Sequence, residues 1–179
     1  MKNFVVTDKD SGKQYWISRA MAVAGVIFAI NPRTQKPIFL VEKRGPGCPD
    51  YIGYYALVCG YLDWDETLEE AIIREAWEET GLRIDPERDK IEPFYIQDNP
   101  KENTRQNVTV RFAIEVPYNT LVRCYNDKTL NGNTEKRGGE AGEIEKIELV
   151  ELKDLNKYKW AWNHDKVIEY VVQYYSLGE

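Results

Sequence analysis

Gly60-Tyr-Leu-Asp-Trp-Asp-Glu66-Thr-Leu-Glu-Glu-Ala-Ile-Ile-Arg74-Glu75-Ala-Trp-Glu78-Glu79-Thr-Gly81-Leu82 decides how the rest of the chain is read. Wound as a helix over Thr67 to Thr80, at about 100° per residue, it gathers Glu75, Glu78 and Glu79 within an arc of roughly 100°. Leu68, Ile72, Ile73 and Ala76 take the adjacent arc, which suits burial against a core. The acidic face is therefore not the one turned furthest from the protein body. Gly81 marks the residue just past the helix end, so the carboxylates sit at the negative pole of the helix dipole, where each is disfavoured by about 0.3–1 kcal/mol. Like charges at i,i+3 and i,i+4 add about 0.2–0.5 kcal/mol per pair. A divalent cation reverses both penalties.

Glutamate pairs on helices ordinarily form a solvated face, and it is the spacing here that favours a site. Oxygen donors without His or Cys suit Mg²⁺ or Mn²⁺ rather than zinc, and Mg²⁺ typically combines one or two carboxylates with substrate phosphates. Phosphate chemistry is the expectation.

These residues resemble the Nudix box of the Nudix hydrolases. Gly60, Glu66, Arg74, Glu75, Glu78, Glu79 and Gly81 stand at its fixed positions, and Ala76 and Leu82 fill its apolar slots, so residues 60–82 match throughout. The resemblance implies an α+β Nudix fold, an α/β/α sandwich with a mixed β-sheet between helices. It also implies Mg²⁺-dependent, or Mn²⁺-dependent, hydrolysis of the pyrophosphate bond in a nucleoside diphosphate linked to another moiety X. In that family pattern Glu75, Glu78 and Glu79 are metal ligands, and Glu75 is also a candidate base. Gly60, Glu66, Arg74 and Gly81 shape the loop and helix, with Arg74 pairing with Glu66. Many members carry a further ligand or the general base just before a late strand; Glu143 is the nearest match and Glu140 the next. The family usually has two glycines where this chain has Cys59-Gly60. Members are often dimers, so a homodimer is an open expectation.

Two alternatives belong to other classes. One is a non-catalytic Nudix domain that senses a nucleotide sugar; such domains typically lose metal-binding glutamates or carry a DNA-binding domain, and neither feature is seen here. The other, an isomerase acting on a diphosphate lipid, needs further Cys and Glu positions that the sequence does not supply. The identity of X is not legible: Pro93 and Pro100 both miss the spacing of the ADP-ribose type, and no tyrosine of the diadenosine type or coenzyme A signature is present.

The length of 179 residues suits one domain with a real core, read as a single unit over 1–179. Thirty acidic against 24 basic residues, a net charge of −6, argues against a general nucleic-acid binder; a phosphorylated small molecule stays open because bound metal supplies positive charge. Cys48, Cys59 and Cys124 show no Cys-x-x-Cys spacing, and one His is present, which fits a reducing compartment without structural zinc. The apolar run Ala20 to Ile30 is too short to span a membrane and too far in for an export signal. Cytoplasmic localisation is the expectation.

Taken in order, Asn3–Val6 and Gln14–Ile17 read as an N-terminal hairpin. Ala20–Ile30 reads as a strand covered on both faces, and Ile38–Lys43 as its partner. The loop from Arg44 leads to Tyr51, Tyr54 and Tyr55; Arg44 and Tyr54 are candidate substrate contacts, Tyr54 through stacking on a base, with packing the competing role. Ala56–Cys59 is a short strand delivering Gly60. Ile91–Gln97 and Asn107–Val116 are strands, with the polar stretch Asn99–Asn107 a loop between them. Arg111 points opposite the stripe of Val108, Val110, Phe112 and Ile114, either to clamp phosphate or to form a surface ion pair. Pro117–Gly142, with Asn131-Gly132-Asn133 and Arg137-Gly138-Gly139, reads as a long mobile connection. Ile144–Val150 is the late strand. A last helix spans about 163–176, with Asn163 as N-cap and Val167, Ile168, Val171 and Val172 as its packing face. His164 reads as a structural contact at its start.

Overall fold

A computed structural model of the chain describes residues 2–101, 105–127, 129–130 and 133–177. The expected turn residues Asn131 and Gly132, and part of the expected Asn99–Asn107 loop, lie outside the described residues.

The N-terminal hairpin forms as read: β1 (Phe4–Thr7) pairs antiparallel with β2 (Gln14–Ile17) in a two-stranded sheet of their own. The main sheet is mixed and has seven strands: β3 (Met21–Ile30), β4 (Pro37–Arg44), β5 (Tyr55–Ala56), β6 (Val58–Tyr61), β7 (Lys90–Gln97), β8 (Val108–Glu115) and β9 (Ile144–Glu151). β3 lies parallel to β8 and antiparallel to β4 and β6.

One irregularity in this sheet positions the site. β3 and β4 pair only where Ile27–Ile30 meets Leu40–Pro37, and then splay apart. The chain from Tyr55 to Tyr61 fills the resulting V. Tyr55 and Ala56 pair with Lys43 and Glu42 on β4, whereas Val58–Tyr61 pair with Gly25–Ala22 on β3. The single strand expected at Ala56–Cys59 is thus two short strands, bent at Leu57. At the bend the Leu57 amide leaves the ladder, and a buried amide needs a partner. His164 Nδ1 accepts it at 3.0 Å.

Alternation along the strands feeds two cores. Val23, Ile27, Leu40, Phe112 and Ile114 pack with Ala71, Ile72 and Ala76 of the first helix. Val26, Phe28, Phe39 and Val41 pack on the other face with Val167, Ile168 and Val171 of the last, α3 (His164–Tyr174). The layers are helix, sheet, helix. Among the described residues no helix is long and apolar enough to cross a membrane.

Three expectations are corrected. The connection after Pro117 contains α2 (Tyr118–Asn126), whose Leu121 and Cys124 are buried on the α1 side of the sheet, and a 3₁₀ turn at Thr134–Arg137. Nine residues repeat an apolar i,i+3 pair only once, too little to register as a period. The box helix is not α-helical throughout: α1 covers Leu68–Glu75, capped by Thr67 in a capping box with Glu70, and Ala76–Thr80 form a π-helical turn. Asn163 holds the N-cap place of α3 at φ 57° but its side chain makes no capping bond.

Leu121 is fully buried, so Leu121→Ala should lower stability by about 3 kcal/mol. A urea titration checks this; a loss below about 1 kcal/mol would mean α2 is not docked.

Candidate active site

The V in the sheet is roofed by the C-terminal half of the box helix, and there the carboxyl groups of Glu79, Glu75, Glu143 and Glu42 lie close enough to feel one another's charge. Glu79 is buried and its Oε2 accepts the Cys59 amide at 3.0 Å. Glu75 lies directly on Gly60: a β-carbon built there would come within 1.9 Å of Glu75 Oε1, so any other residue would push the Glu75 carboxylate from its place. Gly81 ends the turn at φ 75° with its amide bonded to the Trp77 carbonyl.

The fourth group is Glu42, which the sequence reading did not single out. It sits on β4 where that strand has left β3, fully buried, and faces Glu79. Glu79 Oε2 accepts the Cys59 amide, whereas both Glu42 oxygens and Glu79 Oε1 meet no donor from the rest of the protein, so the two carboxyls must share a proton between them or meet a cation. Burial pushes the Glu42 carboxyl up to about 8 and Glu75 up to about 7, and holds Glu79 well above its ordinary range. Two ionised carboxylates in such a place are costly by several kcal/mol unless protonated or met by a cation. An acidic residue inside the apolar run Pro-Ile-Phe-Leu-Val-Glu-Lys-Arg was the available signal.

Arg74 ties the helix to the loop before it. It binds Glu66 with two bonds, of 3.0 and 2.8 Å, and donates to the Tyr61 carbonyl at 3.0 Å. Its third arm reaches Glu75 at 2.8 Å and Glu78 at 3.1 Å. Glu66 is held below its usual range chiefly by that guanidinium.

At the helix end, where the dipole disfavours anions, Arg137 supplies positive charge. It donates to the carbonyls of Glu78 at 3.0 Å and Glu79 at 3.3 Å, and to Leu130 at 2.9 Å. The sequence reading gave this residue only to a flexible loop. Gly138 of the same turn lies against Glu78.

Glu143 is half-buried at the start of β9, and burial raises its carboxyl above the ordinary value. Its carbonyl accepts the Gly45 amide at 2.6 Å and the Cys48 thiol at 3.1 Å, which pins the segment beside the V. Glu140 is exposed, three residues back, and its carbonyl accepts the Thr134 hydroxyl at 2.7 Å.

Arg44 is buried next to these groups, bonded to the Asp50 carbonyl at 3.2 Å and its carboxylate at 3.1 Å. Tyr54 is half-buried with its ring 5.4 Å from Tyr51. Arg111 is not brought to the helix carboxylates. It projects from the face of β8 opposite Val110 and Phe112, half-buried and 5.3 Å over the Tyr95 ring. His164 is buried and neutral, its pKa pushed down to about 3 by burial, which matches a structural contact.

The donor set fits a hard divalent cation: orphaned buried carboxyl oxygens and no imidazole among them. Among the described residues no three or more acidic, His or Cys side chains are arranged to hold a metal ion by themselves; Mg²⁺ typically takes only one or two carboxylates and completes its shell with water and substrate phosphates. Glu75 and Glu79 would hold it, with Glu78 and Glu42 beside them.

The NUDIX domain profile matches residues 19–171. The chain is 28% identical over 167 residues to an ADP-ribose pyrophosphatase of Methanocaldococcus jannaschii, covering 92% of this chain and 80% of that one. Its fold is similar to the NUDIX domain of Shewanella oneidensis NrtR complexed with ADP ribose, at a TM-score of 0.64 and 19% identity, covering 88% of each chain. It is similar also to a mutT/nudix family protein of Listeria innocua, at a TM-score of 0.65 and 19% identity, covering 88% of this chain and 94% of that one.

The raised carboxyls give a pH prediction. Folded Glu42 and Glu75 keep protons that an unfolded chain releases near 4.5, so the folded state binds more protons across that window. Stability of the metal-free protein should therefore fall as pH rises from about 5 to about 8, by up to about 1.4 kcal/mol per pH unit for each extra proton held. Glu42→Gln should flatten the slope and stabilise the metal-free protein at pH 8. Denaturant titrations across pH check it; an unchanged slope would contradict the burial of an ionisable pair.

Proposed function

This chain belongs to the NUDIX family, and we propose that it is a pyrophosphohydrolase that cleaves the diphosphate of a nucleoside diphosphate linked to X, using Mg²⁺ or Mn²⁺. The observation that carries this reading is the facing pair Glu42 and Glu79, with three oxygens lacking a donor, a burial that a dication makes tolerable at neutral pH. ADP-ribose is the first compound to test, because the archaeal relative is named an ADP-ribose pyrophosphatase and matches nearly the whole of this chain.

A diphosphate resists attack because its oxygens repel nucleophiles. The bound ions would neutralise those oxygens and acidify a water molecule. The chain's own residues do the rest. Glu75, Glu78 and Glu79 hold the charge in place, and Arg74 fixes Glu75 and Glu78 against the loop through Glu66. Glu143 takes the proton of the attacking water: burial raises its carboxyl above the ordinary value, which makes it a stronger base than a free carboxylate. Glu140, exposed at the rim, is the second choice for that role. Arg44 offers a buried positive charge to the phosphates beside Glu42 and Glu143.

Incubation of ADP-ribose with Mg²⁺ or Mn²⁺ should yield AMP and ribose 5-phosphate by mass analysis. Glu79→Gln should lose at least about 100-fold in kcat while the metal-free melting temperature stays or rises, and Glu143→Gln should lose about 100-fold or more. Binding of ADP-ribose without products, in the presence of either ion, would instead favour a sensing domain.

A further inference from the structure

The end of the box helix is held by a segment to which the proposed hydrolysis gives no part. A helix leaves its last four carbonyls without donors of its own, and those removed from water need a partner from elsewhere. Here all four are met. The Trp77 carbonyl accepts the Gly81 amide at 2.9 Å, and the Thr80 carbonyl the Cys124 thiol at 3.5 Å. The two between them, on Glu78 and Glu79, both accept from Arg137, which stands 59 and 58 positions further along the chain.

Two further contacts bring the same segment onto the helix end. Leu130 packs where a side chain on Gly81 would stand, 2.8 Å from the place of its β-carbon, and Gly138, at φ 106°, lies 2.8 Å from Glu78 Oε1 by the same measure. A side chain at either glycine would push on Leu130 or on the Glu78 carboxylate. The turn that carries Arg137 is itself anchored. Thr134 is fully buried, its hydroxyl donates to the Glu140 carbonyl at 2.7 Å, and its carbonyl accepts the Gly139 amide at 3.1 Å.

A guanidinium ordinarily seeks a carboxylate. Arg137 instead spends its three nitrogens on the main-chain carbonyls of Glu78, Glu79 and Leu130, which leaves the Glu78 and Glu79 carboxylates free of it. A lysine ammonium, a single point, does not reproduce that spread. Removing Arg137 would have two opposite effects on an ion held by those carboxylates. By charge alone, loss of a cation beside a cation site tightens binding. By geometry, loss of a group that orients the ligands weakens it, typically by about 10–100-fold. Because the guanidinium meets the partial charge of carbonyls, geometry should outweigh charge.

Resting on the reading of Glu75, Glu78 and Glu79 as the group that holds the ion, we propose that Arg137 is a positioning residue of the metal site: it fixes the main chain from which Glu78 and Glu79 project, so the connection after α2 sets how tightly the ion is held.

Mn²⁺ titrated into the metal-free protein, with unbound ion counted by electron paramagnetic resonance, gives the dissociation constant without turnover. Arg137→Met should weaken Mn²⁺ binding about ten-fold or more, and Arg137→Lys, which keeps the charge and loses the fork, should weaken it less but in the same direction. Urea titrations of the same proteins set the conditions under which each is folded. Lower stability with an unchanged Mn²⁺ constant would overturn the proposal and leave Arg137 as a prop for the helix. Tighter binding by Arg137→Met would overturn it in favour of charge alone. Should Arg137→Met fail to fold, Arg137→Lys still decides, since an unchanged constant there overturns the proposal. Wild-type protein that takes up no Mn²⁺ would overturn the reading of the carboxylates and the proposal with it, whereas uptake by the wild type with no change in either variant would overturn the proposal alone.

Discussion

The structure turns on the cost of placing ionisable carboxyls where a sheet comes apart. β3 and β4 splay after four paired positions, the chain from Tyr55 to Tyr61 bridges them, and Glu42 and Glu79 are left facing each other with almost no donors. An interior of this kind charges several kcal/mol for each unpaired ion. Protons or hard cations relieve that cost. Chains that bind phosphates through metal ions need such a place, because the same strain that disfavours the empty site favours the filled one.

Three separated stretches supply the geometry around it. Arg74 welds the helix to Glu66 and to the Tyr61 carbonyl. Arg137, from the connection after α2, neutralises the carbonyls at the helix end where the dipole would otherwise repel the acidic cluster. The Gly45–Cys48 turn grips the Glu143 backbone and sets that side chain beside the others. His164, at the start of α3, holds the bend in the bridging chain from the opposite face of the sheet. The two helical layers are therefore joined at the site itself.

Much of this was legible. The spacing of Glu75, Glu78 and Glu79 carried the helix and its acidic arc, because local spacing fixes which side chains of one helix meet, and the resemblance to the Nudix box implied the Arg74–Glu66 contact. The strands read correctly where apolar residues ran long enough to show a period, as in β3 and β8. Glu42 was hidden because its meaning depends on where β4 parts from β3, a tertiary fact. α2 was too short to show its period, and the π-helical turn leaves no mark in an apolar pattern. Arg111 was placed on the correct side of its strand, but which face of the sheet opens to ligand depends on packing that alternation does not specify. Trp162 pairs with Arg44 and Tyr51, positions more than 100 residues away in the chain, a contact that local spacing does not show.

The most direct measurement is an anomalous-scattering map from crystals soaked in Mn²⁺ near pH 8. The account predicts a peak bonded to carboxyl oxygens of Glu75 and Glu79 at about 2.0–2.3 Å, with Glu42 moved from its partner or bonded through water. Carboxyl groups still facing each other, with no peak between the helix and the V, would contradict it.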